Sequence, residues 1–153
     1  MPTRTPKATA LLKKQHKEVK DLFRQALDGE DADRRRELCQ RIVQALKLHT
    51  KIEEEIFYPA VREVDEKGEE MILEALEEHH VVDLVLAELP DLDPEDERFE
   101  AKMTVLQELV EHHVKEEEKE MFKHAGKLGP DELEALGERM AAEAGEVEGE
   151  EAA

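Results

Sequence analysis

The stretch LKLHTKIEEEIFYP, residues 46–59, decides how this chain is read. Its apolar residues recur at steps of three and four, the period of a helix with one buried face. His49 and Glu53 fall on that face, in line with Ile42, Ala45 and Leu46 before them and Ile52 and Ile56 beyond. An i to i+4 pair projects both side chains to the same side, about 6 Å apart along the axis. A histidine and a carboxylate are therefore headed together for the interior. Unpaired there, the carboxylate costs several kcal/mol or takes up a proton.

The same arrangement occurs twice. HTKIEEEIFYP from His49 aligns with HVKEEEKEMFK from His113, which sets Glu117 against Glu53, Met121 against Phe57 and Phe122 against Tyr58. QHKEVKDLF aligns with EHHVVDLVL when His79 is matched to His16, which sets Val82 against Val19. The offsets are 64 and 63 residues (113 − 49 and 79 − 16), so the halves correspond helix pair by helix pair. Two histidine doublets need a choice. His79 is in phase with Ile72, Leu76, Val82 and Leu86, whereas His80 shares its stripe with Leu73, Leu84, Ala87 and Glu77; His113 leads to Glu117 and Met121, whereas the stripe of His112 carries Glu108, Lys115 and Glu116. His79 and His113 are the inward pair.

Each half thus supplies a lone histidine, His16 or His79, and one His-x-x-x-Glu pair. Taken singly, each of these is an ordinary hydrogen-bonded core residue. Four histidines and two glutamates on one core point instead to a pair of metal ions, with imidazoles as terminal ligands and carboxylates as bridges. Structural zinc sites are mostly thiolate-rich, calcium and magnesium take oxygen ligands, and manganese prefers more oxygen than this set offers. Two Fe ions fit best, each with a position open to dioxygen, peroxide or nitric oxide.

Composition frames that site. The chain has 153 residues, the size of one domain, with 41% charged and 3% aromatic residues and no tryptophan, which favours helices. Punctuation divides it into helical segments at about 8–28, 34–66, 69–89, 94–125 and 131–144. Gly29 offers a left-handed stop for the first, Asp31 or Asp33 a cap for the second, and Asp93 with Pro94 a start for the fourth, while Pro59 predicts a kink near Tyr58. The expected architecture is an all-α, up-down-up-down four-helix bundle over 8–128. It is flanked by a disordered N-terminus (1–7) and, over 129–153, by a short helix and a disordered acidic tail.

A net charge of −19 argues against nucleic acid and membrane partners. Cys39 is alone and in phase with Ile42 and Leu46, a buried thiol suited to a reducing compartment. No apolar run has signal-peptide or membrane-span length, so a soluble cytoplasmic protein is expected.

The order H, HxxxE, H, HxxxE, carried by His16 in KKQHKEV, His49 and Glu53, His79 in EEHHVVDL, and His113 and Glu117, resembles the hemerythrin-like, or HHE cation-binding, family over roughly residues 8–125. The LGPDELEALGERM segment is similar to the C-terminal extension of many bacterial members. The resemblance implies a non-haem di-iron centre that reacts with dioxygen or related molecules. Oxygen-carrying members have a further histidine one turn after the third-helix ligand, where this chain has Asp83. They also use a fourth-helix aspartate five residues after its histidine, whereas Glu117 stands at four. The symmetric set resembles the branch linked to sensing and peroxide breakdown. Catalase-like turnover in oxidative stress, sensing of iron or oxygen, and iron buffering are the functions in play. Asp83 is open to three roles: ligand, partner of a ligand histidine, or solvated residue. Tyr58 reads as a core residue capping the bundle end, or as a donor to a bound oxygen species.

Overall fold

Residues 7–152 are described by a computed structural model, with side chains through residue 145. Among the described residues seven α-helices follow one another: α1 (Ala8–Asp28), α2 (Ala32–Ile52), α3 (Tyr58–Arg62), α4 (Glu66–Glu88), α5 (Glu97–Glu116), α6 (Phe122–Ala125) and α7 (Pro130–Ala152). Among the described residues there is no strand. The four long helices α1, α2, α4 and α5 make the bundle, with α1 against α2 and α5, and α4 against α5. The fifth long helix, α7, lies over α1 and touches α2.

Aspartates start three of these helices by accepting a backbone N–H: Asp31 from Asp33, Asp65 from Gly68 and Asp96 from Arg98. Asp96 takes the role expected of Asp93, which instead closes a turn onto Glu95, because Pro94 belongs to that turn and not to the helix. Gly29 ends α1 without a left-handed residue: its φ is −80°, and its N–H still reaches the Gln25 carbonyl. α7 is longer than the 131–144 segment, and its helical backbone runs to Ala152 through the stretch read as an acidic tail, which is rich in the good helix formers Glu and Ala. The proposed disordered N-terminus lies, apart from Lys7, outside the described residues.

The core is two apolar clusters separated by a polar layer. One holds Leu12, Ile52, Phe57, Tyr58 and Val61 and is closed by Leu136 and Met140 of α7. The other holds Val19, Phe23, Ile42, Leu46, Val82 and Leu86, with Cys39 buried among them. Between them lie His16, His49, Glu53, His79, His113 and Glu117, all buried. Neighbouring turns show how: Leu12, His16 and Val19 descend α1 from one cluster through the layer into the other.

Candidate metal centre

Both glutamates stand where an α-helix gives way to a wider π-helical turn, Glu53–Phe57 and Glu117–Met121. The Tyr58 amide donates to the Glu53 carbonyl and the Phe122 amide to the Glu117 carbonyl, each five residues back. The extra residue in the turn allows Ile56, Phe57 and Tyr58 all to be buried in succession, more than a regular helical stripe permits. The kink expected from Pro59 is this turn. Such a turn does not require a proline, since the second forms with Lys123 at the matching position.

The six side chains converge in two overlapping groups. His16, His49, Glu53 and Glu117 offer ligand atoms within 4.8 Å of one another, and so do Glu53, His79 and His113. One oxygen of Glu53 lies 3.2 Å from Nε2 of both His49 and His79, so it belongs to both groups. Glu117 also spans them, with Oε1 3.2 Å from His16 Nε2 and Oε2 3.0 Å from His113 Nε2. Two donors bonded at right angles to one ion at about 2.1 Å stand about 3 Å apart, so this spacing suits a shared ion. These contacts do not make hydrogen bonds: Nε2 of His16 and His49, both oxygens of Glu53 and Oε1 of Glu117 are buried with no hydrogen-bond partner. Five such atoms at one spot are an unmet demand that cations fill.

Every Nδ1, by contrast, is tied outward. His16 Nδ1 meets Glu118 at 2.8 Å, His49 meets Gln15 at 2.6 Å, His79 meets Glu54 at 3.2 Å and His113 meets Glu78 at 2.8 Å. An Nδ1–H donated to these acceptors leaves each Nε2 lone pair facing the centre, the tautomer a metal needs.

The sequence profile of the Hemerythrin HHE cation binding domain matches residues 7–125. The chain belongs to that family. It is similar to the crystal structure of a Hemerythrin HHE cation binding domain-containing protein, the Rv2633c homologue of Mycobacterium kansasii. The TM-score is 0.83 at 28% identity, over 95% of this chain and 89% of that one. It is also 26% identical over 112 residues to a DNA nickase of Nostoc sp., a match that spans 73% of this chain and about a third (31%) of the nickase.

Within this HHE domain, burial separates the doublets: His79 is 3% exposed, while His80 and His112 lie outside. Asp83 is exposed on α4, away from the centre. The Tyr58 hydroxyl is inside the centre: it donates to Glu117 Oε2 at 2.8 Å and lies 3.2 Å from Nε2 of both His79 and His113. Its ring stacks on His79, and Phe122, its counterpart in the repeat, stacks on His16. Gln15, Glu54, Glu78 and Glu118 were not singled out in the sequence. The repeat carried the signal, because each follows a ligand glutamate or precedes a lone histidine. Gln15 and Glu78 stand at matched positions in the two halves, as do Glu54 and Glu118.

The metal-free layer stores charge. Burial lowers the His113 pKa, but Glu117, Glu53 and Glu78 outweigh it and hold the imidazole well above its ordinary value; His16 and His79 are raised in the same way, chiefly against Glu117 and Glu53 respectively. Burial alone raises Glu53, yet His49 and its other neighbours hold it well below the usual carboxylate range. Cations entering this layer displace protons from imidazoles already facing carboxylates.

A small void of about 20 Å³ adjoins the four imidazoles, walled by Val19, Leu46, Val82, Val110 and Val114. That is room for one water-sized molecule in apolar surroundings.

Proposed function

We propose that this HHE domain holds a pair of iron ions, with His16 and His49 on one, His79 and His113 on the other, and Glu53 and Glu117 between them, and that it breaks down hydrogen peroxide. The observation that carries this reading is the small void against all four imidazoles, whose room for about one water-sized molecule restricts the centre to the smallest reactants. Bound there, the ions would supply two-electron redox chemistry, so that two peroxides give one dioxygen and two waters with no outside reductant. The chain supplies the rest. Glu118, Gln15, Glu54 and Glu78 fix the imidazoles, and the valine and leucine walls exclude bulk water. Tyr58 stays protonated, because burial and the charges of Glu53 and Glu117 push its pKa well above 10, so its hydroxyl is a hydrogen-bond donor at one side of the centre. The charge of −19 supports a small-molecule partner over nucleic acid or a lipid surface, and the single cysteine supports a reducing, cytoplasmic setting.

A second reading, a sensor of iron or oxygen, draws support from the contact of α7 with the Glu53–Phe57 turn, through which ligand loss at Glu53 reaches the outer helix. Metal analysis with an absorption spectrum, then peroxide addition while dissolved oxygen is recorded, separates the two. Paired iron with prompt oxygen release is the expected result; paired iron without it favours sensing. If the layer were merely structural, His49→Leu would stabilise the chain and leave its metal content unchanged. Loss of iron in that variant is the outcome expected here.

A further inference from the structure

Between α1 and α5 runs a groove of about 680 Å³ whose rim is basic in a chain that is otherwise strongly acidic. Lys13, Lys17 and Lys20 line it from α1, Lys115 from α5 and Lys119 from the Glu117–Met121 turn that follows it. Among the described residues none of Lys17, Lys20, Lys115 and Lys119 has a carboxylate within ion-pair distance, and Lys13 lies over the Phe122 ring at 6.0 Å. Of the two glutamates in the groove, Glu118 is engaged by His16, which leaves Glu111 against five ammonium groups.

The floor of this groove is also the wall of the small void beside the imidazoles. His16, Val110 and Val114 line both. Val110 and Val114 are half-buried, and together with His16 they stand between the groove and the void. Another recess towards the centre, of about 30 Å³ beside α4 and α5, is lined by Glu74, Glu78, Glu116 and Glu120 and repels anions.

We propose that the α1–α5 groove is the entrance for small inorganic anions of the reduced-oxygen or nitrogen-oxide kind, drawn in by its lysines against the charge of the whole molecule. This rests on the reading of the buried layer as a metal centre. Whole-molecule charge and local rim predict opposite responses to salt. A chain of −19 repels an anion, so salt would speed association; an anion steered by lysines is slowed by salt.

The test is the rate at which azide, an anion at neutral pH, binds the iron-loaded full chain, followed by its absorption change over a range of ionic strength. Wild-type association should slow as salt rises. Lys17→Glu combined with Lys119→Glu should lower the low-salt rate by about tenfold or more and reverse the salt trend. Lys67→Glu with Lys102→Glu, the same change in net charge away from the groove, should leave both nearly as they were. Val114→Phe should slow entry at every salt concentration. Wild-type association that quickens with salt, or equal slowing in both double variants, overturns the lysine entrance while leaving the metal centre intact. An iron-loaded chain that shows no azide absorption overturns the anion entrance alone, whereas a chain that binds no iron overturns the metal reading and this proposal with it.

Discussion

At the scale of the residue, the repeat makes two nearly equal half-sites and then departs from itself at two places. Tyr58 corresponds to Phe122 in the repeat, and Glu78 to Gln15, so the extra polar groups gather on the His79 and His113 side. Tyr58→Phe would make position 58 match position 122. In the metal-free chain Glu117, 1% exposed, then loses its hydroxyl donor, at a cost of about 1–3 kcal/mol. With iron bound the loss should shrink, because the ion also satisfies that carboxylate. Urea unfolding of both forms checks this, and equal losses would count against a shared role for Glu117. The inward choice within each histidine doublet was legible in the sequence, since it needs only helical phase. Which way the Tyr58 hydroxyl points was not, since that depends on a π-helical turn that apolar periodicity does not reveal.

At the scale of the element, the π-helical turn and the α3–α4 corner place Tyr58. Pro59→Ala tests whether proline makes the turn. The Glu117–Met121 turn forms without one, so the variant should keep its iron content and shift its melting temperature by no more than a few degrees, about 1 kcal/mol. Loss of iron would show that the first turn depends on its proline after all. The corner closes over Gly68, where an added Cβ would stand 2.4 Å from the Val61 carbonyl oxygen. Backbone must then move, so Gly68→Ala should destabilise by about 1–3 kcal/mol despite alanine's better helix propensity. Gly145→Ala, whose Cβ meets nothing within 4 Å, is the control and should stabilise slightly. Thermal unfolding of the pair decides it: equal effects would remove the steric argument. The helix spans themselves were readable because amphipathic stripes and aspartate caps are local. The close approach at Gly68 was not, because it involves a residue seven positions away across a turn.

At the scale of the whole molecule, the polar layer couples folding to pH. His16, His79 and His113 are raised above 6.5 in the fold, so their protonated forms add stability that is full below 6.5 and is lost as pH rises through the folded values. Glu53 is lowered below 4.5, so its contribution is present above 4.5 and is lost as pH falls through its folded value. The metal-free chain should therefore be most stable, as far as these groups decide, between 4.5 and 6.5, and weaken towards alkaline pH. A metal ion held here would bind the deprotonated imidazoles, so the stability it adds should grow over the same alkaline range. Urea midpoints of both forms across pH give the answer, and a metal-free midpoint that climbs above neutrality would refute it.

By itself the sequence determined the helices, the repeat and the six inward polar residues, because each is written in the local period of a helix and needs no knowledge of what the helix meets. Only the tertiary structure decided that Glu53 and Glu117 serve both halves and that four polar neighbours, not Asp83, hold the imidazoles. It also decided that lysines far apart in sequence share one groove. The physical reason is the same in each case: these relations exist only between helices, and their distances are fixed by how the bundle packs.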